Sequence, residues 1–221
     1  MLENEPLKWE KPLKKSNSPT RFCKLCFKDI NDDCLFNLTH DNLDVCARCF
    51  ETIKPTFRQF EVNGYKGLSI YDYDEKIQDL LYQFKGFFDI ELYNLFFERY
   101  VRELRIWYLS YLMVPVPSFE GDDQIREFNH VEEMFKTLKL PMRKIIAKTK
   151  KVKQANRTSE KRKQIKQYLE IVDKTSLEGK KVLLVDDVYT TGSTMKACIE
   201  LLETLHPKTI KVLVMSKTIL K

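Results

Sequence analysis

Residues 181–194, Lys-Val-Leu-Leu-Val-Asp-Asp-Val-Tyr-Thr-Thr-Gly-Ser-Thr, constrain this chain more than any other stretch. Val182–Val185 are four apolar residues in a row. A run that short and continuous reads as a strand buried on both faces, as in a parallel sheet. Two carboxylates, Asp186 and Asp187, stand at its C-terminal end. A hydroxyl-rich turn follows, Tyr189-Thr190-Thr191-Gly192-Ser193-Thr194, and then apolar residues at helical spacing, Met195, Ile199 and Leu202. Strand, turn and helix in this order put free helix N–H groups and the positive end of the dipole where they attract an anion. Gly192 lacks a Cβ and lets the backbone come close, and the Thr and Ser hydroxyls add donors. The acid pair would repel a phosphate, so it is expected to hold vicinal hydroxyls or a cation. A ribose 5-phosphate answers both demands, with hydroxyls on the acids and phosphate in the turn. The reading fails if both acids face inward, locked against lysines, with no anion-sized hollow beside Gly192.

Cys23-Lys24-Leu25-Cys26 and Cys46-Ala47-Arg48-Cys49 form two C-x2-C knuckles with 19 residues between them. The spacing predicts a four-thiolate structural zinc site at Cys23, Cys26, Cys46 and Cys49, coordinatively full and without chemistry at the metal. A module this small cannot bury enough core alone, so the metal supplies its folding energy. Cys34 and His40 lie between the knuckles, but four cysteines already suffice. Cys198 sits on an apolar helix face and reads as an inert core thiol.

The 221 residues are 43% hydrophobic and 12% aromatic, enough for a sizeable core. No run is long and apolar enough for a membrane span. The N-terminus is acidic and lacks the apolar stretch of a signal peptide, so cytoplasm is expected. Twelve Lys and Arg against one acid, Glu160, fall between Leu138 and Gln167, a local +11 in a chain whose net charge is +6. A patch this concentrated suggests contact with a polyanion. Lys148, Lys150, Lys151, Lys153, Arg157, Lys161 and Arg162 are its candidate nucleic-acid-binding residues, with Tyr65, Tyr71, Phe87 and Phe88 as candidate stacking residues.

The expected organisation is an irregular arm over 1–20, a zinc module over 21–55 and an α/β domain over 60–221. In the latter, Gly64 and Gly67 suggest turns, and Leu68–Tyr73 a strand. Asp74 should cap a helix carrying Ile77, Leu80, Leu81 and Phe84, with Gly86 ending it. A second helix is expected over 90–105 and the first core strand over 107–116. Arg126 to His130 should open a third helix, with His130 on the surface. Strands are also expected at Ile145–Ile146, Tyr168–Val172 and Lys208–Met215, and a helix over 193–205.

Residues 182–194 resemble the signature of type I phosphoribosyltransferases, which bind 5-phosphoribosyl pyrophosphate. The resemblance implies an open, mostly parallel twisted sheet, two acids on the ribose hydroxyls and a following loop on the 5-phosphate. Its ligand residues would be Asp186, Asp187, Tyr189, Thr190, Thr191, Gly192, Ser193 and Thr194. With the cysteine knuckles first and this domain second, the chain resembles competence proteins of the ComF/ComFC type. In those, a Pro-Val-Pro strand end precedes an Arg-Gly-Phe-Asn-Gln stretch. Here Pro115-Val116-Pro117 matches, as do Arg126, Phe128 and Asn129, while Glu127 and His130 replace Gly and Gln. The resemblance implies that Val116, Pro117 and Ser118 approach a pyrophosphate through their backbone, with Arg126 as charge partner and Mg²⁺ on the pyrophosphate. It implies a hood loop around Gln154 and Arg162. It also implies single-stranded DNA handling in natural transformation, with DNA-uptake helicase or translocase proteins as partners at the inner face of the membrane. A second reading is an active phosphoribosyltransferase using Asp186 and Asp187. Asp187 is then the best candidate for a base, although ribose or metal would occupy it.

Overall fold

The computed structural model of the chain describes residues 21–30, 36, 43–118, 120–149 and 168–219. The arm, Cys34, His40, Gln154 and the cationic residues Lys150, Lys151, Lys153, Arg157, Lys161 and Arg162 lie outside them. The chain divides into two compact units, Met1–Phe50 and Glu51–Lys221.

The first unit is built on its cysteine turns. The Cys23 carbonyl accepts the Phe27 N–H at 2.7 Å, and the Cys23 N–H donates to the Lys28 carbonyl at 2.8 Å. Phe22 and Asp29 bridge across the turn. Ile30, Leu43, Val45 and Phe50 are buried among the described residues. The second knuckle leads into helix α1 (Ala47–Thr52).

The second unit carries a five-stranded sheet in the order β1-β2-β7-β6-β3. Its strands are β1 (Arg58–Val62), β2 (Tyr65–Asp72), β3 (Tyr111–Pro115), β6 (Lys181–Tyr189) and β7 (Thr209–Lys217). β2, β7, β6 and β3 run parallel, and β1 is an antiparallel edge. The sheet is therefore the mostly parallel α/β arrangement expected of the sequence. Val182–Val185 are wholly buried in β6, between β7 and β3. A central parallel strand covered on both faces requires this apolar continuity.

Asp74 caps helix α2 (Glu75–Gly86), its carboxylate accepting the Ile77 N–H at 2.9 Å. Ile77, Leu80, Leu81 and Phe84 form the buried face of α2. The helix expected over 90–105 is instead two short 3₁₀ turns, Ile90–Leu92 and Glu98–Tyr100, followed by α3 (Val101–Tyr108). Leu92, Leu95, Phe96 and Phe97 are all buried, and consecutive burial of 95–97 does not fit the one-sided stripe of a surface helix. Trp107 and Tyr108 accordingly belong to α3 rather than to the strand, which begins at Tyr111. Helix α4 (Glu120–Arg126) ends at Arg126, and Asn129 caps α5 (His130–Lys136) by accepting the Glu132 N–H at 3.0 Å. The expected single helix opening at Arg126 is thus a break between two helices.

That break runs through Glu127, whose φ is +65°. For a residue with a Cβ this left-handed conformation costs about 1–2 kcal/mol. It is the position where the family stretch has glycine.

Strands β4 (Ile146–Lys148) and β5 (Leu169–Ile171) pair antiparallel with each other and form a ribbon separate from the main sheet. Helix α6 (Ser193–Glu203) leads from β6 towards β7 and buries Met195, Cys198, Ile199 and Leu202.

Candidate functional site

Strand β6 delivers its two acids to opposite faces, as successive residues of a pleated strand must. Asp186 is half-buried and lines a hollow of about 50 Å³ together with Val188, Tyr189, Thr190, Thr191, Gly192, Ser193, Thr194 and Met195. All of the turn residues named from sequence are therefore brought together around one small cavity. Gly192 is the N-cap of α6 with φ +71° and ψ 8°, the left-handed region where glycine carries no Cβ penalty. Among the described residues, the N–H groups of Thr191, Gly192, Ser193 and Thr194 find no acceptor. They are the orphan donors of a helix start. The Thr191 and Ser193 hydroxyls share a hydrogen bond at 3.0 Å. An anion at this position would meet backbone donors, hydroxyls and the positive helix end together.

Tyr189 closes over the turn. A Cβ built on Gly192 would lie 2.3 Å from the Tyr189 Oη and 2.6 Å from its Cζ. The tyrosine ring leans on Phe60 with centroids 4.6 Å apart. Phe60 in turn covers Gly67, where a Cβ would lie 2.5 Å from the ring. Gly67 is thus a packing glycine in β2 rather than a turn. The turn is Asn63-Gly64, both at positive φ, joining β1 to β2.

Asp187 is buried and already engaged. Its Oδ1 accepts the Val188 N–H at 2.7 Å. Its Oδ2 lies 2.6 Å from Lys85 Nζ and 3.3 Å from His130 Nε2. Burial would raise this carboxyl, but the His130 hydrogen bond and the Lys85 charge outweigh it and hold Asp187 far below the usual carboxylate range. For Asp186, burial and then the neighbouring Asp187 charge push the carboxyl well above its ordinary value, against a hydrogen bond its Oδ1 accepts from the Asp187 N–H at 2.9 Å. The two acids are therefore unequal. Asp187 is a fixed anion and a weak proton acceptor, and Asp186 is the carboxylate at the hollow. The ribose-phosphate reading fails if both acids are locked inward on lysines with no hollow beside Gly192; Asp187 alone is locked on Lys85, Asp186 lines the hollow, and neither condition is met.

The partners of Asp187 extend into a polar chain. Arg126 lies 3.3 Å from His130 Nδ1 and 3.4 Å from Asp123 Oδ1, and its Nε donates to the Lys85 carbonyl at 3.2 Å. Asp123 accepts from Ser118 and from Asn129, whose Nδ2 is 2.9 Å away. Arg126 is thus joined to the loop after β3 through side chains. Val116, Pro117 and Ser118 line a second cavity of about 290 Å³ with Asp123, Asn129, Glu132, Lys144 and Lys148. Lys148 falls at this cavity.

Lys85, Asp123 and the burial of His130 were not legible in the sequence. Lys85 stands beside Gly86 at a helix end and reads only as a favourable C-terminal charge. Nothing local pairs it with a residue 102 positions later. Of the stacking candidates, Tyr71 is buried with its hydroxyl donating to the Phe96 carbonyl at 2.8 Å, and Tyr65 donates to Glu203 at 2.9 Å. Phe87 and Phe88 are exposed.

In the first unit the ligand atoms of Cys23, Cys26, Cys46 and Cys49 all lie within 4.8 Å of one another. The Cys26 and Cys46 sulfurs are 3.7 Å apart. A tetrahedral zinc with arms of about 2.3 Å has sulfur–sulfur edges of about 3.8 Å, so the cluster fits a metal ion of that size. The backbone donor at Lys28 brings the Cys26 thiol down to about 7, while burial pushes Cys46 and Cys49 up. Bound metal would deprotonate all four.

Residues 130–217, from α5 to the end of β7, match the family model of the phosphoribosyl transferase domain. The second unit therefore contains a phosphoribosyltransferase-type domain. Solved structures similar to the chain include a hypoxanthine phosphoribosyltransferase from Staphylococcus aureus, with 15% identity over 58% of this chain and 73% of that one at a TM-score of 0.38. A purine phosphoribosyltransferase from Pyrococcus horikoshii has 20% identity over 55% and 71%, at 0.34. A phosphoribosylpyrophosphate synthetase from Mycobacterium smegmatis has 18% identity over 56% and 33%, at 0.33. These likenesses are distant. No curated protein sequence matches the chain. No helix among the described residues is long and apolar enough to cross a membrane.

Proposed function

We propose that the chain binds a phosphorylated ribose of the 5-phosphoribosyl pyrophosphate kind, with Mg²⁺, and acts as a ComFC-like protein handling single-stranded DNA during DNA uptake. The observation that carries this reading is the hollow at Gly192, where unpaired helix N–H groups, hydroxyls and the Asp186 carboxylate face one cavity. The 5-phosphate sits in the turn formed by Tyr189 to Thr194, and the ribose hydroxyls meet the acid pair. The pyrophosphate extends towards Val116, Pro117 and Ser118, with Arg126 behind them. Mg²⁺ supplies neutralising charge on the phosphates when bound. The four cysteines hold a structural zinc. Lys148 and the basic stretch after it track nucleic-acid phosphates, and the uptake helicase or translocase is the protein partner.

Titration calorimetry with phosphoribosyl pyrophosphate and Mg²⁺ tests the pocket, with single-stranded oligonucleotide absent and present. Binding lost in Asp186→Asn plus Asp187→Asn supports it, and no binding by the wild-type chain refutes it. DNA affinity should fall steeply with salt and survive the double substitution. DNA binding that ignores salt refutes the phosphate-tracking role. Release of pyrophosphate in the presence of a nucleobase would instead establish the transferase reading.

A further inference from the structure

We propose that Lys85 is a ligand-binding residue of this site, an ammonium held on Asp187 and passed to the pyrophosphoryl end of the ligand when it docks. The inference rests on the phosphoribosyl reading and adds to it what distinguishes a pyrophosphate-bearing ribose from a ribose monophosphate.

The root of Lys85 is fixed. It lies in the last turn of α2, and its carbonyl accepts from Arg126 Nε at 3.2 Å. The side chain is 34% exposed although its Nζ touches a buried carboxylate at 2.6 Å, so it stands at the rim of the cluster. A lysine anchored at its root and only partly buried can swing its ammonium from Asp187 to a second anion nearby.

The donor count at Asp187 permits this exchange. A carboxylate offers about four acceptor positions. Three are taken, by the Val188 N–H, Lys85 and His130. When Lys85 leaves, Asp187 keeps the Val188 N–H and His130 and is not orphaned, and Arg126 lies against the other nitrogen of that imidazole. The ammonium exchanges one charge-assisted bond for another, carboxylate for phosphate, so the transfer requires little net cost.

The same count gives the acids different roles. Once Lys85 has passed to the ligand, Asp187 still keeps the Val188 N–H and His130, so at most two of its positions are open to hydroxyls. Asp186 spends one Oδ1 position on the Asp187 N–H and lines the hollow. Asp186 is then the main holder of the ribose diol, and Asp187 is a positioning residue that holds Lys85 ready.

The experiment compares phosphoribosyl pyrophosphate with ribose 5-phosphate, both with Mg²⁺, by calorimetry on the full chain. Lys85→Met should weaken the pyrophosphate ligand by about 10- to 100-fold and leave ribose 5-phosphate within about threefold, and Lys85→Arg should restore most of the loss. A purely structural role would lower both affinities together, and that outcome overturns the proposal, as does no change in either. Asp187→Asn, which retains Lys85, gives an independent check. It should still bind both ligands but with a reduced preference for pyrophosphate, because Lys85 is no longer held ready, and loss of both ligands or an unchanged preference overturns the assignment. A wild-type chain that binds ribose 5-phosphate without preferring the pyrophosphate sinks only the role of Lys85. A wild-type chain that binds neither sinks the phosphoribosyl reading itself.

Discussion

Gly192→Ala isolates the two constraints that the turn places on one position. The first is backbone: an L-residue at φ +71° costs about 1–2 kcal/mol. The second is the tyrosine above it. A methyl group 2.3 Å from Tyr189 Oη forces the ring aside, and moving it off Phe60 forfeits an aromatic pair of about 0.5–1.5 kcal/mol. The single substitution should therefore destabilise the second unit by about 2–3 kcal/mol. The two terms separate in a double-mutant cycle. Once Tyr189→Ala has removed the ring, adding Gly192→Ala should cost only the backbone term, leaving a coupling energy of about 1 kcal/mol. Urea unfolding of the four proteins, followed by near-ultraviolet signal, reads it directly. Additivity within about 0.5 kcal/mol would show that Tyr189 does not close over Gly192, and the account of the turn would be wrong.

The remaining predictions concern neighbouring residues. Glu127→Gly should stabilise the protein by about 1 kcal/mol, because it relieves the left-handed strain at an exposed position; an unchanged or lower urea midpoint refutes that strain. Asp187→Asn should destabilise by about 2–3 kcal/mol. A fully buried broken pair costs about 3–5 kcal/mol, and the third of the Lys85 side chain that is exposed lowers the figure. Asp186→Asn should act the other way, stabilising the protein at neutral pH while weakening ribose binding, a trade usual for sites under strain.

The signs differ with pH. The raised Asp186 carboxyl makes stability fall as pH rises from about 4 through its folded value, so the gain from Asp186→Asn should vanish near pH 4. The lowered Asp187 carboxyl contributes stability above about pH 4 that is lost only as pH falls through its lower folded value. Melting curves from about pH 3 to 8 check both. Metal analysis should find one zinc per chain, and a strong chelator should unfold the first unit while leaving the β-sheet signal of the second, since the four cysteines that would hold the metal come from both knuckles of that unit.

What the sequence disclosed and what it hid follow from range. Val182–Val185, the acid pair, Gly192 and the Asp74 cap are local signals, written in consecutive residues, and each lies in the expected element. The Asn63-Gly64 hairpin is equally local, since that dipeptide between apolar runs favours a two-residue turn. The glycines alone do not reveal β1; the asparagine beside Gly64 is the missing half of the signal. The Lys85–Asp187–His130 cluster has no such signature. It depends on α2 and α5 meeting β6, which only the folded topology provides. The burial of three successive residues was also hidden, because Leu95, Phe96 and Phe97 look like part of a helix face until all three are seen inside. Glu127 is visible as a departure from a family pattern, yet its physical meaning, a glycine conformation occupied by a glutamate, required the dihedral.

The ribbon of β4 and β5 has a further consequence. Lys148 stands opposite Leu169, and the Thr149 N–H donates to the Tyr168 carbonyl at 2.9 Å, so positions 149 and 168 are held beside each other. Closing a longer excursion between these points costs only about 0.6 kcal/mol for each doubling of its length. The ribbon therefore fixes its two ends independently of the sequence that joins them, and substitutions or insertions between positions 149 and 168 should leave the sheet that carries the acids intact.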